Sequence, residues 1–345
     1  MLKRIRGGVG VASVAAFTFF AAIVGSSMAS VLTIGKIALP EMKKHDYPKS
    51  LMYGISTVGG SLGMLIPPSM AFILYASLTG VSPGHLFIAG IIPGLVISFL
   101  LMCWSFIKVP RTEIAATVAY DDNPPVERNK ENVRQLLKTI PDLFLPIIVL
   151  GGIYAGIYTP VEVAAVGVVY ALITSMFITR SLHVNQLLNI MSESVKSSAF
   201  LLSIVAGAIV FGAALTLIGL PHYLSGWITS LHVAPWVVLL VMNLIWLVMG
   251  CFLEGASITL ITTPIFFPIA TAVGFDPIWF GVILVLNMEL AVLTPPVGVN
   301  LFALKSLLPD ESLENIIKGS LPSTLFVVFT LILVWLFPQV ALALL

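Results

Sequence analysis

The sequence predicts an all-α polytopic membrane protein, an inverted repeat with two re-entrant helical hairpins and two discontinuous helices, in about seven full crossings. Three observations predict it. Of 345 residues, 58% are hydrophobic and 10% charged, and the mean hydropathy is +1.06, far outside the range of soluble domains. Apolar runs long enough to cross a hydrocarbon core of about 30 Å recur along the whole chain. Proline pairs interrupt two of those runs, at Pro67-Pro68 and Pro295-Pro296. The period-2 alternation of a transmembrane barrel is absent, so the spans are helices.

The elements follow in order. Gly8 to Met42 is apolar on both sides of Gly25-Ser26-Ser27-Met28-Ala29-Ser30, whose small and hydroxyl residues let the chain turn inside the membrane, forming hairpin one. Lys3, Arg4 and Arg6 followed by the apolar stretch imitate a secretory signal, but the repeat described below assigns this stretch to a hairpin arm. Leu51 to Leu78 is a span broken at Pro67-Pro68, because proline lacks a donor and clashes with the preceding turn. Leu86 to Val109 is the next span, and Glu113 to Lys138 reads as a surface loop running into an interfacial helix. Ile140 to Ile157 and Val161 to Ile178 form a tight pair joined at Tyr158-Thr159-Pro160, and Ser197 to Leu220 is a further span. Trp236 to Val273 repeats the hairpin pattern around Glu254-Gly255-Ala256-Ser257. Ile278 to Leu307 is broken at Pro295-Pro296, and Leu321 to Leu345 finishes the chain.

With both hairpins re-entrant, all 17 Lys and Arg residues fall on one side, and the loops around Gly80 to His85, Gly156 to Pro160, Pro221 to Pro235 and Gly274 to Pro277 hold none. The positive-inside rule then makes the N-terminus cytoplasmic and the C-terminus extracytoplasmic. The repeat is legible in proline spacing. Counting from Ser26, Pro40, Pro67 and Pro93 stand at offsets 14, 41 and 67, and from Gly255, Pro268, Pro295 and Pro322 stand at 13, 40 and 67. Three regions are expected: residues 1–110 as the first repeat, 111–235 as an interfacial arm and connecting scaffold helices, and 236–345 as the second, inverted repeat.

Non-helical backbone at membrane depth leaves carbonyls and amides that ions or substrate must satisfy. Ser26, Ser27, Gly59, Gly60, Ser61 and Gly63 are expected to line one cation site, and Gly255, Ala256, Ser257, Thr294 and Pro296 its inverted partner. The competing reading of these clusters is close helix packing through small residues. No Lys or Arg lies deep in a span. An anionic substrate would therefore be held by half-helix N-termini near Ser27, Pro68, Ser69, Val297 and Asn300. Glu254, at the second tip, is either a coupling acid or a partner of neighbouring free amides, whereas for Glu289, before Pro295, a hydrogen bond to such amides is preferred. Gly59-Gly60-Ser61-Leu62-Gly63 matches a hydrolase nucleophile pattern but lacks the preceding strand and a nearby histidine, so no enzyme is expected. No phosphate-binding Gly-Lys-Ser/Thr loop is present, so the chain does not itself hydrolyse ATP. Cys103 and Cys251 lie in apolar stretches as packing residues.

At Gly25-Ser26-Ser27-Met28-Ala29, Gly63-Met64-Leu65-Ile66-Pro67-Pro68-Ser69 and Leu293-Thr294-Pro295-Pro296-Val297-Gly298-Val299-Asn300-Leu301-Phe302, the chain resembles the large membrane subunit of TRAP (tripartite ATP-independent periplasmic) transporters. The resemblance implies sodium-coupled import of small organic acids (C4-dicarboxylate, 2-oxo acid or sialic acid type) across a bacterial inner membrane, by an elevator motion. It implies as partners a small membrane subunit and a periplasmic substrate-binding protein, with Na+ as coupling ion, no other cofactor and no nucleic acid. On that pattern Ser26, Ser27, Gly60 and Gly63 carry over to the first sodium site, and Gly255, Thr294 and Pro296 to the second. Family members usually carry further membrane helices ahead of hairpin one, so part of the scaffold is expected to be supplied by another chain or lost. The alternatives are a truncated non-transporting fragment and a passive anion channel.

Overall fold

The computed structural model describes residues 7–109, 141, 144–230 and 233–345. The interfacial arm expected over Glu113 to Lys138 lies outside them, as do Lys3, Arg4 and Arg6. Among the described residues the regular elements are helices: α1 (Gly8–Val24), α2 (Ser27–Lys44), α3 (Lys49–Ser61), α4 (Met70–Thr79), α5 (Pro83–Lys108), α6 (Phe144–Tyr154), α7 (Pro160–Ile173, continued by a π turn over Thr174–Ile178), α8 (Val184–Leu217), α9 (Leu220–Ser230), α10 (Pro235–Gly250), α11 (Gly255–Ala272), α12 (Pro277–Leu293), α13 (Val299–Leu307), α14 (Leu313–Leu336) and α15 (Gln339–Leu342). Five of the described helices are long and apolar enough to cross a membrane. The protein is thus an all-α, multi-pass membrane protein.

Contacts divide the chain into two compact units, residues 1–118 with 208–345, and 119–207. The larger unit holds the repeat. Helices α2 and α11 begin at Ser27 and Gly255, α3 and α12 at Lys49 and Pro277, and the breaks fall at Pro67-Pro68 and Pro295-Pro296, a constant separation of 228 residues. Each proline pair joins through a cis peptide. Both hairpins form, α1 with α2 and α10 with α11, and in the first the chain turns at Gly25 (φ 62°). The copies exchange partners. Arm α2 of hairpin one packs on α13, the second half of broken helix two, and arm α11 of hairpin two packs on α4, the second half of broken helix one.

Side-chain bonds at the two ends of the unit fix the direction of each copy. At one end Lys49 of α3 pairs with Glu311 ahead of α14, Tyr47 Oη accepts a hydrogen bond from Gly10 N at 3.1 Å, and Ser105 Oγ donates to Gly7 O at 3.1 Å. Both ends of hairpin one therefore lie there. At the other end Tyr75 Oη donates to Pro277 O at 2.7 Å and Trp279 Nε1 to Val334 O at 2.7 Å, with Phe275, after hairpin two, edge-on to Trp279 and stacked on Phe280. Broken helix one thus runs from the first end to the second, and broken helix two runs back. The repeat is inverted.

Three sequence boundaries shift. The span expected over Ser197 to Leu220 is the end of the 34-residue helix α8, which starts at Val184. Its polar first half, Asn185 to Ser198, contains no Gly or Pro, so the helix persists where hydropathy does not. The loop expected over Pro221 to Pro235 holds α9, whose Leu220, Leu224, Trp227 and Ile228 recur at helical spacing. Helix α14 ends at Leu336, ahead of Pro338.

In the smaller unit, α6 and α7 are joined by a turn at Tyr158-Thr159. There the Thr159 hydroxyl accepts from Glu162 N at 3.3 Å, and the Glu162 carboxylate accepts from Thr159 N at 2.8 Å. This reciprocal cap is the N-terminal role that a glutamate two residues after Pro160 implies. Tyr170 Oη donates to Pro141 O at 2.7 Å.

The Lys49 ammonium holds the Glu311 carboxyl below the ordinary carboxylate range. A carboxyl lowered in the folded state adds stability above its ordinary value of about 4.3 and loses it as pH falls through the folded value. Glu311→Gln should therefore lower thermal stability measured in detergent slightly at neutral pH, as an exposed ion pair would, and flatten its fall below about pH 4.3, where the two proteins converge.

Candidate functional site

The tip of hairpin one rests on the first break, backbone against backbone. Gly25 adopts a left-handed conformation, and a Cβ there would stand 2.5 Å from Pro68 O. Gly63 lies so close to Ser26 that its Cβ would be 3.3 Å from Ser26 N and 3.4 Å from Ser26 O. At Gly25 only a residue without a side chain allows that approach, and at Gly63 a side chain would make the contact tight. Ser26 is extended, and its carbonyl already accepts the Ser30 amide at 3.1 Å and the Ser30 hydroxyl at 2.8 Å. Gly60, in the last turn of α3, approaches Ser27 O, and Gly59 packs on the Phe17 ring. Gly59 thus sits in a packing contact with α1. Ser61 Oγ donates to Val58 O of its own helix at 2.9 Å.

The break itself is short. Leu62–Met64 form a 3-10 turn, Pro67 is buried, and Ser69, fully buried, caps α4 by accepting from Phe72 N at 3.4 Å while its hydroxyl donates to Met64 O. The first-turn amides of α4 start beside Pro68 and Ser69, the arrangement that suits an anion.

The second tip uses other residues to reach the same arrangement. Phe252 N and Leu253 N donate to Met249 O at 2.9 and 2.8 Å, and Val297 N of the second break donates to Cys251 O at 3.2 Å, a direct backbone link between tip and break. Gly255 and Ala256 are buried in the first turn of α11, and Ser257 is half-buried. Gly255 faces Met64 of the first break, whose Cε would lie 2.9 Å from a Cβ placed there, and Met288 of α12. The second tip therefore touches both copies. Thr294 Oγ1 donates to Leu290 O at 2.6 Å, and Gly298 enters α13 in a left-handed conformation. Whereas Pro67 is buried, Pro295 and Pro296 are exposed.

The remaining expected residues are distributed as follows. Asn300, fully buried, donates Nδ2 to Thr57 O of α3 at 2.9 Å and so ties the copies together, leaving its side-chain oxygen without a partner. Val297 is half-buried at the tip-break link. Glu254 is exposed, in extended backbone ahead of α11, and makes no capping bond to the first-turn amides. Glu289 departs from the sequence expectation: instead of bonding freed amides it is fully buried within α12, and neither carboxylate oxygen has a hydrogen-bond partner. The signal in the sequence is an acid, two residues after Asn287, in a 17-residue helix that is otherwise apolar, four residues short of its end.

Two hairpin tips seated on two helix breaks, in copies that run in opposite directions, define the class of membrane transporters built from inverted repeats with discontinuous helices. The family model of the tripartite ATP-independent periplasmic transporter DctM component matches residues 1–340. The chain belongs to this family, as a TRAP large permease protein. A C4-dicarboxylate TRAP transporter large permease protein of Pseudomonas aeruginosa is 40% identical over 340 residues, covering 99% of this chain and 78% of the relative. One of Rhodobacter capsulatus, also named for C4-dicarboxylate, is 35% identical over 362 residues, covering 100% and 80%. A sialic acid TRAP transporter large permease protein of Vibrio cholerae is 32% identical over 344 residues, covering 100% and 79%. These relatives are named as permeases, and the protein is a transporter subunit, not an enzyme.

Gly25→Ala puts a Cβ 2.5 Å from Pro68 O in backbone that disfavours any side chain. Expected is a loss of about 1–3 kcal/mol of stability and an unseated tip. Thermal unfolding in detergent reads the first, and protease sensitivity at Ser26-Ser27 the second.

Proposed function

We propose that this chain is the permease subunit of a sodium-coupled secondary transporter that imports small organic acids, with C4-dicarboxylates as the first substrates to test. The observation that carries it is the pair of tip-break junctions, where extended backbone at Ser26 and Glu254 meets interrupted helices. Such junctions offer carbonyl and hydroxyl oxygens to a dehydrated cation and helix N-termini to an anion. One sodium site draws on Ser26, Ser27, Gly59, Gly60, Ser61 and Gly63, and the other on Gly255, Ala256, Ser257, Thr294 and Pro296. Ser27, Pro68, Ser69 and Val297 border the substrate, with Asn300 fixing the distance between the copies. Glu254 stands beside the second site as the acid for any proton coupling. The names of the relatives at 40% and 35% identity favour the dicarboxylate class.

The assembly comprises a small membrane subunit and a periplasmic binding protein that delivers the substrate, at a bacterial inner membrane, with the N-terminus cytoplasmic and the C-terminus periplasmic. The two repeats form the mobile part of an elevator, and the helices of residues 111–235 belong to its scaffold. Reconstitution in liposomes tests the whole reading. Labelled succinate uptake should require both the binding protein and an inward sodium gradient. Uptake without sodium would make the protein a passive channel, and no uptake with all subunits present would make the chain a non-transporting fragment.

Ser27→Ala and Thr294→Ala each remove one hydroxyl at a different junction. Each should raise the sodium concentration for half-maximal uptake by about three- to tenfold, about 0.6–1.4 kcal/mol. An unchanged sodium dependence in both variants overturns the assignment of the sites.

A further inference from the structure

Every residue of α12 from Trp279 to Leu293 is buried, and Glu289 is fully so, about 18 Å from the helix start at 1.5 Å per residue. Neither oxygen of its carboxyl has a hydrogen-bond partner. The helix itself cannot supply one. The chain stays helical up to Leu293, so the amides around Glu289 are held by carbonyls one turn back. The Asn287 side-chain amide spends both of its hydrogens, on Asn243 Oδ1 at 2.6 Å and on Ile283 O at 2.8 Å.

The elements packed on α12 are α3, α4, α5, α10, α11, α13, α14, α15 and the Leu62–Met64 turn, and none brings a positive charge to Glu289. Lys49 of α3 pairs with Glu311, Lys318 of α14 with Glu314, and Lys305 Nζ of α13 donates to Pro309 O at 2.7 Å and Glu311 O at 2.5 Å. His85 and Lys108 are exposed at the two ends of α5. Helices α10, α11 and α15 contain no ionisable group, and Glu254 and Asp276 stand at the starts of α11 and α12. Tyr75 Oη is bonded to Pro277 O, the Tyr53 hydroxyl to Glu311, and Cys103 is half-buried on α5. A carboxylate without a positive partner does not persist in an apolar interior; it neutralises instead. Water would bond its oxygens and leave the charge in place. A metal ion would need further oxygens at the same point, whereas a proton needs Glu289 alone.

We propose that Glu289 is a proton-binding site, holding one proton as a neutral carboxylic acid out of contact with solution. Glu254, exposed at the second tip, exchanges with solution; Glu289 keeps its proton for as long as α12 stays packed. This binding does not rest on the sodium-driven reading above. Infrared spectroscopy of the full chain in nanodiscs tests it. At about pH 7, wild type minus Glu289→Gln should show one protonated-carboxyl band per chain, and the band should persist to about pH 9, where exposed glutamates are ionised. Loss of an ionised-carboxylate band in its place overturns the proposal. Thermal unfolding in detergent gives a second readout. Above about pH 4.3 the unfolded chain releases this proton while the folded chain keeps it, so stability falls as pH rises. Between about pH 6 and 8 the folding equilibrium of wild type should weaken about tenfold per pH unit relative to Glu289→Gln, and a difference independent of pH overturns the proposal. Should Glu289→Gln fail to assemble, wild type with isotope-labelled glutamate carboxyls decides. A protonated band at about pH 9 that survives Glu254→Gln supports the site, and its absence overturns it.

Discussion

Backbone that leaves the helix inside a membrane must find its partners within the protein, because hydrocarbon offers none. The larger unit of this chain answers that constraint twice, by seating a hairpin tip on each interrupted helix. At the first junction the contact is backbone against backbone, with Gly25 and Gly63 removing the side chains that would hold Pro68 and Ser26 apart. At the second it is a hydrogen bond from Val297 N to Cys251 O. The hairpins, the breaks and the exchange of partners between copies follow from this one requirement. A tip that stopped elsewhere would strand polar groups at a cost of about 1–3 kcal/mol each, and more in hydrocarbon.

The fold was largely legible because its punctuation is made by proline and glycine, whose backbone effects are local. Pro67-Pro68 and Pro295-Pro296 announced the broken helices, and the constant spacing of prolines announced the repeat. What stayed hidden depends on packing or on helices whose pattern is weak. The polar half of α8 was left unassigned ahead of the apolar span, since hydropathy and helix propensity disagree there, and α9 hid in an expected loop. At the site, the sequence named the tip and break residues. It did not separate Gly59, which makes room for Phe17, from Gly63, which makes room for backbone. Both are glycines four residues apart, and only the position of hairpin one distinguishes them. Glu289 was misjudged for a related reason: its nearness to Pro295 pointed to freed amides, but α12 stays helical up to Leu293 and keeps its amides occupied.

The copies share a plan and differ in surroundings. Pro67 and Ser69 are buried, while Pro295, Pro296 and Glu254 are exposed. Gly255 sharpens this difference, because it brings the second tip against Met64 of the first break in addition to its own.

The exchange of partners also limits how the unit can move. Arm α2 is held by α13 and arm α11 by α4, and Asn300 bonds Thr57 across the copies. Moving one hairpin alone would pull it off a half-helix of the other copy. Moving both hairpins with both broken helices preserves every one of these contacts. The hairpins and broken helices therefore form one interlocked body, held by contacts that each copy makes with the other.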